Sequence, residues 1–244
     1  VPADARVWDL KGKTIYAGFI DPYLSLGKEK AKPVSNRWTV PIDARAGVSF
    51  TGVPTTRTDM GRKGPGHEIA GVRPDYRVSA EFSPDPKELT ALRALGFTAA
   101  NIIPTEGIYR GTGTLALLGD GNPNQLVLRP DTVQHLAFSG TTKRAEGYPN
   151  SLMGVIAVIR QTVFDAQHYY SMQTWHKAHP NDARPEYNPS LEALRPVLAK
   201  TGQQRIVIES GSVLMLNRAQ VLAAELGFNP ILVATGQEWR RPQL

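Results

Sequence analysis

Apolar residues fall along this chain in short runs separated by breakers, with no single long periodic array. Thr14–Ile20 is a continuous apolar run that stops at Asp21-Pro22, the pattern of a strand buried on both faces of a parallel sheet. Residues 28–76 then show little periodicity and many prolines and glycines, which predicts a functional loop or an insertion. Ser83-Pro84-Asp85-Pro86 opens a helix that runs through Leu95, with Gly96 placed to end it. Phe97–Ile103 reads as a second buried strand, ended by Pro104. Short β-like pieces follow at Thr114–Leu118, Gln125–Arg129 and Thr132–Phe138, around the turn Gly119–Asn124, and predict a β-rich insertion over about 105–140.

A long helix is expected from Ser151 to Ala178, with Met153, Ile156, Ile159, Val163 and Ala166 at three- and four-residue spacing. A second helix is expected over Pro189–Lys200, then a strand at Arg205–Glu209, a helix at Val213–Leu226 closed by Gly227, and a strand at Pro230–Thr235. Strand, helix and strand recurring with short joints is the grammar of an α/β fold. Four buried-type strands predict part of a TIM-like (β/α) barrel, since a complete one takes about 250 residues for eight units.

Composition narrows this picture without changing it. Apolar residues make up 41% and charged residues 20%, which fits a globular chain and excludes collagen-like or disordered classes. No apolar run approaches the roughly 18–20 residues of a membrane span, so no membrane partner is expected. The absence of cysteine excludes disulfides, thiolate metal sites and a cysteine nucleophile. Net charge is +6, with Lys28, Lys30 and Lys32 clustered and Arg240-Arg241 near the end. No basic stripe interleaves with aromatics, so the charge reads as solvated surface and no nucleic-acid partner is expected. The chain opens on Val1 without a signal-peptide pattern and stops soon after an apolar run, so a segment of a longer parent is expected, in either bacterial periplasm or cytoplasm.

In α/β barrels the active site lies at the C-terminal ends of the strands. That rule selects Asp21, Tyr23 and Ser25 after the first apolar run, Pro104 and Glu106 after the second, Glu209 and Ser210 after the third, and Ala234 and Thr235 after the fourth. Gly107–Gly113 is glycine-rich but lacks the Lys-Ser/Thr of a phosphate loop, so it reads as a tight turn; Arg110 within it is a pocket candidate. Of the five histidines, His176 and His179 read as last-turn residues complementing a helix dipole, and His135 as a half-buried packing residue. His67 falls in a glycine-rich loop and His168 in mid-helix, and no H-x-H, H-E-x-x-H or G-x-S-x-G pattern is present.

Asp9, Gly12, Lys13, Gly18, Phe19, Ile20, Asp21 and Gly27 stand in a spaced frame that resembles the opening of amidohydrolase-superfamily enzymes. Val207–Gly211, Ala219–Gly227 and Leu232–Gly236 resemble the imidazolonepropionase-like branch of that superfamily, and Arg93–Ala100 its second barrel strand. The resemblance implies a barrel preceded by a small β-sandwich, so that 1–13 would end the sandwich and 14–244 form an incomplete barrel. It also implies hydrolysis of amide or cyclic-amide C–N bonds in a small-molecule substrate, with Zn²⁺ or another divalent metal activating water. At the positions matching the family's metal-binding histidines this chain has Tyr23, Ser25, Glu209 and Ala234. One carboxylate beside serine and tyrosine is a poor Zn²⁺ site, because zinc takes three or four N, S or carboxylate ligands.

The expectation is therefore an amidohydrolase-like segment with no cofactor evident and no metal ligands, metal-poor or catalytically degenerate. Its candidate pocket is Asp21, Tyr23, Ser25, Arg110 and Glu209. Its expected partner is the remainder of its own chain or a second amidohydrolase copy. The alternative is a non-catalytic structural or binding domain paired with an active copy.

Overall fold

The computed structural model describes residues 9–26, 66–138, 148–200 and 202–243. In chain order the elements are β1 (Phe19–Leu24), α1 (Pro86–Ala94), β2 (Phe97–Ile102), β3 (Tyr109–Thr112), β4 (Thr114–Leu117), α2 (Pro123–Leu126), β5 (Val127–Arg129) and β6 (Gln134–Ala137). They continue with α3 (Leu152–Ala178), α4 (Pro189–Glu192), β7 (Ile206–Glu209), α5 (Val213–Leu226) and β8 (Pro230–Val233). Helix ends are fixed by local chemistry. The Asp85, Ser151 and Ser212 side chains accept the otherwise orphaned N–H groups of Lys87, Gly154 and Met215 and so cap α1, α3 and α5. Gly227 ends α5 at φ 71°, a left-handed conformation that costs glycine nothing.

The strands form two four-stranded mixed sheets, ordered β1-β2-β4-β5 and β3-β6-β7-β8. In the first, β1 and β2 are parallel, while β4 and β5 add antiparallel. In the second, β6, β7 and β8 are parallel and β3 adds antiparallel to β6. The helices α3 and α4 carry the chain from β6 to β7, and α5 carries it from β7 to β8, as crossovers between parallel strands require. This is an α/β fold. No backbone ladder closes the two sheets into one barrel among the described residues; the four expected strands are present as the parallel pairs β1–β2 and β7–β8, and β6, expected within an insertion, joins β7 in parallel.

The larger core lies between the second sheet and the helices. Tyr109, Leu136, Ile206 and Ile208 point from the strands into it, against Val155, Ile159, Val163 and Ala166 of α3 and Ala219, Leu222 and Ala223 of α5. Because side chains alternate across a strand, the residues between them face the other way. Arg110, His135, Val207 and Glu209 thus leave the helical core and look toward the first sheet. A smaller core under that sheet joins Leu89, Ala100 and Leu118 with Leu24.

Several elements differ from the sequence reading for physical reasons. The run Thr14–Ile20 is exposed, with Ile15 74% and Tyr16 83% accessible, and pairing starts only at Phe19, whose N–H donates to Gly96 O. The strand then continues through Asp21-Pro22, which β1 tolerates as an edge strand because Pro22 has no N–H to leave unpaired. The second helix stops at Glu192, since Pro196 offers no N–H to the Glu192 carbonyl. On α3 the buried seam runs through Val155, Val158, Ile159, Thr162, Val163, Ala166 and Tyr169, and leaves Met153 73% exposed. The segment 105–140 supplies β3 and β6 to one sheet and β4 and β5 to the other. Most of the irregular stretch 28–76, and residues 1–8 of the expected sandwich end, lie outside the described residues. No helix among the described residues is long and apolar enough to cross a membrane.

Candidate functional site

The residues that turn away from the helical core converge where the two sheets face each other. Glu209 ends β7, Arg110 lies in β3 and Tyr23 comes across from β1. The Tyr23 hydroxyl donates to Glu209 Oε2 at 2.7 Å. Arg110 Nη1 donates to the same oxygen at 2.7 Å, and Nη2 reaches Oε1 at 3.4 Å. Arg110 Nε turns back to Gly107 O at 3.3 Å. The guanidinium is buried, at 7% side-chain exposure, whereas Glu209 keeps 40%.

Local backbone irregularity aims Arg110 at this point. The β3–β6 ladder slips between Tyr109 and Gly111, so Arg110 occupies a bulge, the feature by which strands re-aim a side chain. Gly111 supports the bulge at φ 99°, and a Cβ there would run into the Tyr76 carbonyl. Only glycine fits both constraints.

His135 completes the cluster. It is 2% exposed, its ring centroid lies 6.1 Å from that of Tyr23, and a Cβ added to Gly113 would stand 3.1 Å from its Nε2. Neither ring nitrogen has a hydrogen-bond partner. Asn101 of β2 forms a nearby support, donating to Pro22 O at 3.2 Å and accepting from the Thr132 hydroxyl at 2.8 Å.

Proton affinities follow from this packing. Burial first, and the Arg110 charge second, lower the His135 pKa from 6.5 to about 4, against the opposing pull of Glu209. His135 is therefore neutral at physiological pH. Burial pushes the Tyr23 phenol well above its ordinary range, and the Glu209 charge adds to that, so Tyr23 stays protonated as a donor. Burial also pushes the Glu209 carboxyl up. The Arg110 charge, with hydrogen bonds from Arg110 and Tyr23, outweighs that effect and holds it below the usual carboxylate value. The cluster thus contains one ion pair and two neutral groups.

Of the five pocket residues expected from sequence, the structure joins Tyr23, Arg110 and Glu209. Asp21 is adjacent but serves the backbone, its carboxylate accepting the Tyr23 N–H at 2.8 Å. Ser25 is exposed and lies outside the cluster, and Ala234 is exposed just beyond β8. Glu106 is exposed and pairs with Arg73 at 3.5 Å, and the Ser210 hydroxyl is turned toward Val233 O at 3.4 Å. Sequence reasoning missed His135, which is fully buried and belongs to the cluster instead of being half-buried packing. The signal lay in its strand: Leu136 faces the helices, so His135 must face the opposite way.

These residues do not fit a divalent metal. Both oxygens of Glu209 accept from the cationic Arg110 guanidinium, which repels a second cation. Tyr23 holds its proton, Ala234 has no donor atom, and no group of three or more His, Cys, Asp or Glu side chains forms a metal cage among the described residues. The remaining histidines are elsewhere: His67 accepts the Ile69 N–H at 3.0 Å, and His179 stacks on Trp175 at 3.9 Å between ring centroids.

No protein-family model matches the sequence, and no curated protein sequence matches it. Among solved structures, the crystal structure of an amidohydrolase from Thermotoga maritima MSB8 is similar over 98% of this chain, with a TM-score of 0.68 and 19% identity. At that identity the likeness shows a shared fold. The chain spans 57% of the length of that protein.

Proposed function

We propose that this chain is an amidohydrolase-type barrel segment that has given up its metal centre and acts as a silent, non-catalytic partner of an active hydrolase region. That region is the remainder of its own parent chain or a second amidohydrolase copy, and its chemistry is hydrolysis of amide or cyclic-amide C–N bonds. The fold shared with the Thermotoga maritima amidohydrolase supports the amidohydrolase part of this reading, and the sequence frames from Asp9 to Gly27 and from Val207 to Gly236 support the imidazolonepropionase-like branch.

One observation carries the silence: Glu209, at the strand end matching a family ligand position, is neutralised by Arg110 and hydrogen-bonded by Tyr23. A hydrolase of this type needs a metal to lower the pKa of a bound water and polarise the scissile carbonyl. Here the equivalent carboxylate already has its counter-cation inside the protein. No residue of the cluster is poised as a replacement nucleophile, because Tyr23 keeps its proton and His135 has no hydroxyl or thiol to activate.

Two measurements on the purified chain test this. Titration calorimetry with Zn²⁺ and with Mn²⁺ should show binding well below one ion per chain, and N-acyl and cyclic-amide substrates should be left intact. Stoichiometric, tight metal binding together with chelator-sensitive hydrolysis would end the proposal.

A further inference from the structure

We infer that Arg110 is a tethered cation that has taken over the positive-charge role of a bound metal, tying the strand ends of the two sheets together through Glu209. This rests on the reading of the chain as a metal-silent barrel segment, and adds what replaced the ion.

Three features of the geometry lead there. First, the tie crosses between sheets. Tyr23 belongs to the first sheet, Arg110 and Glu209 to the second, and the 2.7 Å contacts of Tyr23 and Arg110 meet on a single oxygen, Glu209 Oε2. Groups from separate elements that converge on a central charge form the arrangement a metal ion usually organises. Second, the charge is permanent and directed. A guanidinium cannot lose its proton in a protein, and its planar fork fixes donor directions as a coordination sphere fixes ligands. Arg110 uses three of its N–H groups this way, toward Oε2, Oε1 and Gly107 O. Third, the backbone is shaped to deliver it. The slip in the β3–β6 ladder, the left-handed Gly111 and the close approach of Tyr76 all serve to place one buried arginine.

A structural arginine that merely fills space would make a different prediction. If volume is what matters, a small free cation cannot replace it. If charge at this point is what matters, a free guanidinium-type ion can.

Chemical rescue decides between these. In Arg110→Ala the thermal midpoint should fall by about 5 °C for a chain of this size. Methylguanidinium at millimolar concentration should restore about half of that loss, relative to sodium at equal ionic strength. The double variant Arg110→Ala/Glu209→Gln, which lacks the stranded carboxylate, should fold and show no methylguanidinium effect. Arg110→Lys, which keeps the charge but not the fork, should fall between wild type and Arg110→Ala.

An Arg110→Ala protein as stable as wild type, or one that methylguanidinium does not rescue, overturns the inference. So does an equal rescue of the double variant. If Arg110→Ala does not fold, the double variant alone decides: its folding supports the inference, and its failure refutes it. A metal-dependent rise in the wild-type midpoint on adding Mn²⁺ would instead sink the metal-silent reading itself, which keeps the two failures distinct.

Discussion

Replacing His135 with leucine removes the one titrating group that the site buries without a hydrogen-bond partner. In the folded chain its pKa lies at about 4, against 6.5 for an ordinary histidine. A folded-state value below the unfolded one means that the unfolded chain takes up a proton first as the pH falls. Stability therefore rises with pH across the window between those two values, and is lost on acidification from about 6.5 toward 4. Between pH 8 and pH 5 the His135 contribution to that loss is about 2 kcal/mol, from the proton-linkage relation and ~1.4 kcal/mol per pKa unit. Glu209, whose folded pKa is depressed, adds a loss of the same sign, but only below its ordinary value of 4.5. The two groups are thus separable by pH.

The assay is urea unfolding of wild type and His135→Leu at several pH values from 8 to 5, each compared at constant m. Wild type should lose stability steeply over that range, and the variant should lose about 2 kcal/mol less. His67, whose pKa burial also lowers, contributes equally to both proteins and cancels in the difference. At pH 8 the variant should be no less stable than wild type, because it removes two buried nitrogens that lack partners, each worth about 1–3 kcal/mol when unsatisfied. Parallel pH profiles for the two proteins would refute the reasoning, since they would mean His135 titrates normally and is not sealed from water.

Two other substitutions probe how the site is held. Tyr23→Phe deletes the hydroxyl that donates to Glu209 Oε2 at 2.7 Å, and should cost about 1 kcal/mol because Glu209 remains partly solvated and keeps Arg110. A double-mutant cycle with Glu209→Gln measures that coupling, and zero coupling would show the contact is not made in solution. Gly111→Ala drives a Cβ into the Tyr76 carbonyl at positive φ and should cost about 3 kcal/mol or more. Gly227→Ala, left-handed at φ 71° but with no atom within 4 Å of the new Cβ, should cost about 1 kcal/mol by the same denaturation assay. Equal costs for the two glycine variants would show that the bulge around Arg110 is not sterically constrained.

What the sequence revealed follows from how local each signal is. The bounds of α5 were legible to the residue because a serine cap and a glycine stop encode them within the segment itself. The apolar run before β1 was misleading for the complementary reason. Whether Ile15 and Tyr16 are buried depends on where the partner strand begins, and that is set by Gly96 and Phe97 far along the chain. β4 was legible as Thr114–Leu118, whereas β3 lay inside the glycine-rich Gly107–Gly113 that read as a tight turn, because only Gly113 stands between the two strands and they diverge into different sheets.

The site was half legible. Tyr23 and Glu209 are 186 positions apart, and no periodicity encodes their meeting; only the spaced frames at both ends of the chain put each at a strand terminus. Arg110 drew notice as a lone charge among apolar residues, a cue that works because a buried arginine must find a carboxylate. His135 gave no such cue, since a neutral imidazole is tolerated in a core and announces nothing until the strand's facing is known. The same parity that sends Leu136 into the helical core sends His135 toward Tyr23. Once that facing is fixed, the four residues read as one unit. A permanent cation neutralises the only carboxylate, and its field helps keep the neighbouring histidine unprotonated. A carboxylate so committed has no vacancy for a metal ion. The silence we propose for this site thus rests on charge already balanced within the fold, more than on any single missing ligand.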